Sequence, residues 1–175
     1  MAAWRAWLEP GDGAGRGQPP EAERALGRVV TARISAAQEQ LLARGRGIGS
    51  GSPATDLHDL RKDAKKLRYL LECFSGLLAL APRKAFVQQL KALQDNLGEH
   101  QDTEVHSEWL RVTSQELHGE PGTTAATLLA MGQLTEHFEQ RRQAARDEFA
   151  DRFTAYDTKR TRRSLDDLLA SATGR

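Results

Sequence analysis

Residues 56–74, DLHDLRKDAKKLRYLLECF, decide the fold of this chain. When they are placed on a helix at about 100° per residue, the apolar side chains fall on one stripe: Leu57, Leu60, Ala64, Leu67, Leu71 and Phe74. Such a stripe is typical of a helix that buries one face in a protein core. The stretch therefore predicts an amphipathic helix that packs against other helices.

The opposite side of this helix carries charges that are sorted by sign. Its basic and polar members cluster around one line along the axis: His58, Arg61, Lys62, Lys65, Arg68 and Tyr69. The acids Asp56, Asp59 and Asp63 lie off that line, toward the apolar border. Most basic helix faces are solvated surface, but such faces usually mix signs, because rows of one sign repel. Cations one to two turns apart also suit a multivalent anion, so spacing alone leaves both interpretations open.

The order of these residues adds a second kind of information. H-x-x-R-K-x-x-K-K-x-R-Y, from His58 to Tyr69, resembles the signature of the conserved histidine α-helical domain (CHAD) family. Residues 90–99, LKALQDNLGE, followed by Asp102, are similar to the L-K-x-L-Q-x-x-L-G-x-x-x-D segment of the next helix in that family. The resemblance covers about residues 55–160.

This resemblance implies a particular architecture. CHAD proteins have two similar four-helix halves that face each other around a basic channel, and a histidine signature opens a helix in each half. One signature occurs here, and the block that follows it resembles the second half. Two alternatives follow: the chain is a fragment or a reduced member, or two copies form a homodimer that completes the channel.

The rest of the chain predicts an all-α, antiparallel bundle of about five long helices, since runs rich in strand-forming residues are missing. The signature helix is expected to reach about residue 80, before a boundary forced by Pro82. A further break is expected at Gly98, and Val105, Trp109 and Val112 are expected to point inward. The other predicted helices cover residues 21–44, 83–97 and 99–117, and run from about 123 to beyond 149.

Composition divides the chain into three regions. Residues 1–20, which contain PGDGAGRGQPP, predict a flexible N-terminal segment and linker. The resemblance implies that residues 21–156 form the CHAD-like helical domain, and residues 157–175 are expected to form a basic, partly ordered C-terminal tail.

The charge and the cysteine content exclude several classes of protein. The formal net charge is +1, so any anion site must come from local sorting, and nucleic acid is an unlikely partner. The single cysteine, Cys73, rules out an internal disulfide and is expected to be a small packed residue. No apolar run reaches about 18 residues, so we expect no membrane span and a cytoplasmic protein.

The resemblance, rather than the spacing, selects inorganic polyphosphate as the ligand. The residues expected to bind it are His58, Arg61, Lys62, Lys65, Arg68, Tyr69, Lys91 and Arg141. Arg suits phosphate through its forked donors and Lys through a mobile charge. The alternative is a helical interaction module whose basic groove receives an acidic segment of a partner protein.

Catalysis is not expected. Asp95, Glu99 and Asp102 are acids that a metal site would need, but they are better explained as ion-pair partners, with Asp102 next to Arg61 or Arg68. No HExxH or Cys/His pattern occurs. The sequence therefore predicts no catalytic residue, no metal and no cofactor. The resemblance allows for a triphosphate-cleaving partner domain and for a place on polyphosphate granules.

Overall fold

A computed structural model describes the backbone of residues 20–172 and the side chains of residues 26–172. Within these limits the chain forms five α-helices and no strand, which confirms the all-α prediction. The elements are α1 (Pro20–Arg46), α2 (Ala54–Cys73), a 3-10 turn (Ser75–Leu77), α3 (Leu80–Leu117), α4 (Ala125–Tyr156) and α5 (Lys159–Ala172). The predicted flexible segment, apart from Pro20, lies outside the described residues.

The apolar stripe of α2 lies at the centre of the core. Leu57, Leu60, Ala64, Leu67 and Leu71 are 0–2 % exposed, as their helical spacing predicts. They pack against buried residues from each of the other helices: Ile34, Leu41, Phe86, Leu90, Leu93, Phe149, Phe153 and Leu168. Burial of this stripe fixes which side of α2 remains for solvent.

Neighbouring helices run antiparallel, as expected. Gln40 and Arg44 of α1 both bond Asp63 of α2. Gln94 of α3 donates to the carbonyl oxygen of Ala64 at 3.0 Å. Further contacts join α3 to α4, Asn96 with Ala145 and Glu99 with Arg141, and Arg46 at the end of α1 pairs with Asp157 just before α5. Between α3 and α4 the sequence positions of the partners run in opposite directions.

Helix α3 is one continuous element of 38 residues, so the predicted break at Gly98 is wrong. A glycine inside a helix costs about 1 kcal/mol relative to alanine, and the contacts of α3 on both sides of Gly98 outweigh that cost. Pro82 also lies inside α3, in its first turn. There its missing N–H breaks no helical hydrogen bond, so α3 begins at Leu80, before the proline. The signature helix ends at Cys73 rather than near residue 80, and the 3-10 turn follows it.

The expectation that Val105, Trp109 and Val112 point inward is wrong. These side chains, called the α3 row below, are 55 %, 62 % and 43 % exposed. Their spacing of four and three residues does place them on one side of the helix, and it continues the positions that face α2, of which Asp102 is the last. Helix α2 begins level with this point, since His58 contacts Gln101. Helix α2 therefore does not reach the row, and α4 packs along this part of α3 through other positions, such as Ser107 and Arg111.

The C-terminal region also differs from the partly ordered tail that was expected. Residues 159–172 form α5, and Leu165 and Leu168 are buried in the core. Ser171 Oγ accepts a hydrogen bond from the backbone N–H of Ala79 at 3.0 Å. The basic residues at the start of α5 therefore lie on an ordered helix that packs against the core.

In the described part of the chain, no helix is both long enough and apolar enough to cross a membrane.

Candidate functional site

An open groove of about 660 Å³ runs along the solvent side of α2. The residues that line it, called the α2 groove below, are His58, Arg61, Lys62, Lys65, Lys66, Tyr69, Leu70, Cys73 and Phe74. Four of them are cations and none is an acid. From first to last they span 16 residues, which corresponds to about 24 Å of helix. The cations occupy the N-terminal part, and the other end is mainly apolar.

The groove lacks acids because Asp59 and Asp63 face α1, while Glu72 lies on the side of α2 toward α3. Asp63 is almost completely buried and accepts hydrogen bonds from Gln40 Nε2 at 2.8 Å and Arg44 Nε at 2.7 Å. Asp59 lies 3.5 Å from Arg44 Nη1, and a hydrogen bond from Lys62 holds the pKa of Asp59 below its usual range. The charge sorting predicted from the sequence is therefore produced by the packing of α2 on α1.

Two residues at the N-terminal end of the groove are held by α3. His58 Nδ1 is hydrogen-bonded to Oε1 of Gln101, which fixes one ring nitrogen. Arg61 Nη2 lies 3.5 Å from Oδ1 of Asp102. This ion pair is the arrangement expected for Asp102, and it leaves the other donors of the Arg61 guanidinium available.

The cations in the middle of the groove have few acidic partners. Lys65 Nζ lies 5.9 Å from the centre of the Tyr69 ring, a cation–π contact. Within the described residues, neither Lys65 nor Lys66 has a carboxylate within 4 Å. Tyr69 itself is 53 % exposed. Unpaired ammonium groups beside an exposed ring can bind an anion without first breaking an ion pair.

Arg68 lies beside the α2 groove rather than in it. Its Nε donates to Glu72 at 2.7 Å, and this hydrogen bond raises the pKa of Arg68. Together with Arg61 and Lys65 it lines a smaller groove of about 310 Å³ between α2 and α3. Arg61 and Lys65 therefore belong to both grooves, and Arg68 could extend a ligand contact sideways toward α3.

Lys91 and Arg141 are not brought together with the other candidate residues. Lys91 is on α3 and forms an ion pair with Asp95 one turn later. Arg141 is on α4, where its Nη2 lies 2.7 Å from Glu99 Oε1. It lines a separate groove of about 380 Å³ between α3 and α4, together with Asp95 and Glu99. These acids stand between Arg141 and the cations of α2.

Sequence reasoning missed several members of the groove. Lys66, Leu70 and Phe74 line it, and so does Cys73, which is exposed rather than packed as expected. Two of them, Lys66 and Cys73, were predictable, since helical intervals of four and three residues place positions 62, 66, 69 and 73 on one face. No comparable pattern in the sequence predicts the contact between His58 and Gln101.

Among the residues that the structure describes, no group of three or more His, Cys, Asp or Glu side chains lies close enough to hold a metal ion. Asp95, Glu99 and Asp102 instead contact Lys91, Arg141 and Arg61 respectively.

Comparison with known families identifies the domain that carries this groove. A family model of the CHAD domain matches residues 1–111. The chain belongs to the CHAD family. The match includes α1, α2 and most of α3, so the whole α2 groove lies within the CHAD match. It begins earlier than the predicted resemblance, which started near residue 55, and it ends within α3 rather than near residue 160. No curated protein matches the chain.

Proposed function

We propose that this CHAD domain binds inorganic polyphosphate in the α2 groove and does not cleave it. One observation carries the proposal: four cations line the groove and no carboxylate does. A polyanion can therefore lie along α2 without meeting like charge. Association of the CHAD family with polyphosphate supports the choice of this polyanion over others.

The spacing of the cations suits a chain of phosphates. Arg61, Lys65 and Arg68 are separated by about 4.5–6 Å of helix rise per step. Arg61 and Lys65 line the α2 groove and can meet successive or alternate phosphates of an extended polymer. Arg68, which lies beside the groove and pairs with Glu72, could meet a phosphate where the polymer turns toward α3. Arginine offers forked donors to phosphate oxygens, and lysine offers a charge that adjusts to the position of the chain.

His58 lies in the first turns of α2, where unpaired backbone N–H groups and the helix dipole favour negative charge. Since Gln101 holds one of its ring nitrogens, the other nitrogen is oriented away from that contact. We infer that a phosphate of the polymer lies at this end of the groove, within reach of that nitrogen.

The proposal is for binding without catalysis. Phosphoryl transfer generally uses a metal held by carboxylates, or a nucleophile beside a base. The lining of the α2 groove has no carboxylate. Its one thiol, Cys73, lies 15 residues along the helix from His58, about 22 Å away. The cleavage of triphosphate would then be the task of a separate partner domain.

A second candidate function is supported by the apolar end of the groove. Leu70 and Phe74 offer apolar surface that a polyphosphate chain cannot use. An acidic amphipathic segment of another protein could place its charges on Lys62 and Lys65 and an apolar side chain at this end. This alternative predicts that binding depends on Leu70 and Phe74 as well as on the cations.

Titration calorimetry with long-chain polyphosphate tests the proposal. The native chain is expected to bind, with an affinity that falls as salt rises, because released counterions contribute to the binding free energy. Arg61→Ala/Lys65→Ala/Arg68→Ala is expected to abolish binding. Arg33→Ala/Arg152→Ala/Arg163→Ala removes the same charge elsewhere and is expected to bind as the native chain does. Equal loss in both triple variants would show a non-specific charge effect.

Two further measurements separate the alternatives. Leu70→Ser is expected to leave the affinity for polyphosphate unchanged, whereas it would weaken the binding of an acidic peptide. Phosphate release from polyphosphate or tripolyphosphate in the presence of Mg²⁺ is expected to be absent, and turnover by the pure protein would contradict the non-catalytic part of the proposal. If binding is found, fluorescence imaging can then test the expected place of the protein, the cytoplasm and its polyphosphate granules.

A further inference from the structure

We propose that two copies of this chain associate through one shared face, in which the α3 row of each copy lies in the α2 groove of the other. The inference does not rest on polyphosphate binding, because the association is expected without any ligand.

The first observation is the exposure of the α3 row. Val105, Trp109 and Val112 lie on one side of α3 and are about half exposed. A contiguous apolar patch that contains a tryptophan is more typical of an interaction surface than of a solvated one. The row is also the direct continuation of the α3 positions that α2 covers. Its spacing therefore suits a helix as the covering element.

The second observation is the charge beside the row. Asp102 and Glu116 continue it at its two ends, at intervals of three and four residues, and Glu108 adjoins its middle. Glu108 and Asp102 are 66 % and 64 % exposed, and each has one cation of its own chain nearby, Arg111 at 3.3 Å from Glu108 and Arg61 at 3.5 Å from Asp102. The row is thus an apolar strip with an acidic border. Asp102 and Glu108 lie on the half of the row nearer the contact with Arg61, which would face the cations of the α2 groove. Trp109 and Val112 would face the apolar end of the groove, and Glu116 would lie at its edge, beside Phe74.

The third observation is the relative position of the two surfaces. They adjoin at the contact between Arg61 and Asp102. Because α2 and α3 are antiparallel, the groove extends from this contact in one direction and the row in the other. Both extend for similar lengths, about 20 Å from residue 61 to residue 74 and about 21 Å from residue 102 to residue 116. A two-fold axis near this contact would place each row over the other groove, which gives a closed pair.

The charges favour a second copy over the N-terminal residues of the same chain. Residues 1–19 contain Trp4 and Trp7, but their two arginines are balanced by one aspartate and one glutamate. They cannot complement the acidic border of the row as the four cations of the groove can. A row covered by residues 1–19 would leave the chain monomeric, so the test below distinguishes the two occupants.

Sedimentation velocity of the full chain, without polyphosphate, tests the pairing. A concentration-dependent dimer is expected at low salt, and it should weaken as salt screens the exposed charges. Trp109→Glu is expected to weaken the dimer by more than about tenfold, since it places an acid opposite the apolar end of the groove. Leu129→Glu alters a residue on α4 that is equally exposed, at 65 %, and is expected to have no effect.

A charge exchange gives the sharper test. Lys62→Glu/Lys65→Glu/Lys66→Glu leaves Arg61 as one cation against three acids, which makes the groove acidic. Glu108→Lys reverses the acid of the row that lies opposite these positions. Each variant alone is expected to be monomeric, because both contacts of its two-fold pair are then repulsive. An equal mixture is expected to form a heterodimer, because both contacts become attractive. This recovery also shows that the variants are folded.

Several outcomes would overturn the inference. The native chain could be monomeric at every concentration and salt level, or Trp109→Glu could leave the dimer intact. The mixture of the exchanged variants could also stay monomeric. The result is independent of the proposed function, since Trp109→Glu alters no cation of the groove and is expected to bind polyphosphate at least as tightly as the native chain does. If polyphosphate binding and the pairing are both correct, polyphosphate is expected to dissociate the dimer, because it would occupy the groove that receives the α3 row.

Discussion

Arg44 Nε lies 2.7 Å from Oδ2 of Asp63, and this contact turns a carboxylate of α2 away from the α2 groove. Gln40 binds the other oxygen of the same carboxylate at 2.8 Å. Asp63 is therefore a charged residue that the core accepts because its two oxygens are paired. The contact joins stability to function, since it holds α2 on α1 and keeps the groove free of acids.

Replacement of Asp63 by alanine is expected to destabilise the chain. The variant removes both hydrogen bonds and leaves the partly buried Arg44 guanidinium without its closest partner. We expect a loss of about 2 kcal/mol in the free energy of unfolding, less than for a fully buried pair because Arg44 is about a third exposed. Urea denaturation followed by circular dichroism measures this change.

Asp59→Ala is the matched control for that prediction. Asp59 is also an acid of α2 that faces Arg44, but its side chain is 45 % exposed and the separation is 3.5 Å. Exposed pairs contribute about 0–1 kcal/mol, so this variant is expected to remain close to native stability. Equal losses in the two variants would argue against a special role for the buried carboxylate.

Gly98→Ala is expected to stabilise the protein. Gly98 lies inside α3, and a methyl group added there meets no heavy atom within 4 Å. Alanine is favoured over glycine in a helix interior by up to about 1 kcal/mol. Thermal unfolding should therefore shift to higher temperature. Gly119→Ala provides the contrast, because Gly119 has a φ of 93° in the turn after α3 and alanine is strained there.

Gly45→Ala is expected to destabilise the junction of α1 with α4. A methyl group at Gly45 would overlap the ring of Phe153. Overpacking of this kind typically costs about 1–3 kcal/mol. The double variant Gly45→Ala/Phe153→Leu should lose less than the sum of the two single changes, because leucine leaves room for the methyl group. Additive losses in a double-mutant cycle would show that the ring is not the obstacle.

The α3–α4 contact is expected to make the protein sensitive to acid. Hydrogen bonds to Glu139, first from Ser107 and then from Arg142 and Arg111, lower its pKa to about 2 from an ordinary value of 4.5. The folded state thus keeps Glu139 ionised at a pH where the unfolded chain binds a proton. Its contribution to stability is present above about pH 4.5 and is lost as the pH falls toward 2.

Glu139→Gln tests this contribution. The side chain is a quarter exposed, so we expect a loss of about 1–2 kcal/mol at neutral pH. The difference between variant and native chain should shrink between about pH 4.5 and pH 2. Glu120→Gln, which changes an exposed acid in the turn after α3, is expected to follow the native curve. A constant difference for Glu139→Gln across this range would contradict the assignment.

Part of the fold followed from local patterns in the sequence. The stripe from Leu57 to Leu71 was predictable because helical spacing of apolar residues specifies the buried side of a helix. The same spacing was correct for Val105, Trp109 and Val112 in placing them on one side of α3. It could not show that α2 ends before it reaches them, since the length of a neighbouring helix is not a local property.

The candidate site was predictable to a similar degree. The cations of α2 lie together because they share one helix, and spacing within a helix is fixed. Lys91 and Arg141 lie apart from them because their positions depend on how α3 and α4 pack. Both also form ion pairs with acids of α3, Lys91 with Asp95 and Arg141 with Glu99. The sequence predicted a partly ordered tail instead of α5, because the leucines of α5 stabilise this helix only when they are buried against the rest of the core.

The long hairpin of α3 and α4 also has a consequence for motion. No residue from 111 to 144 is buried, although both helices continue through most of this range. Its backbone hydrogen bonds are therefore held by two helices alone, whereas those near Leu93 are held by the whole bundle. The hairpin is expected to open locally without global unfolding, and its amides should exchange with deuterium much faster than those of the core. Contact with a second chain along α3 would then be visible as slower exchange in the hairpin.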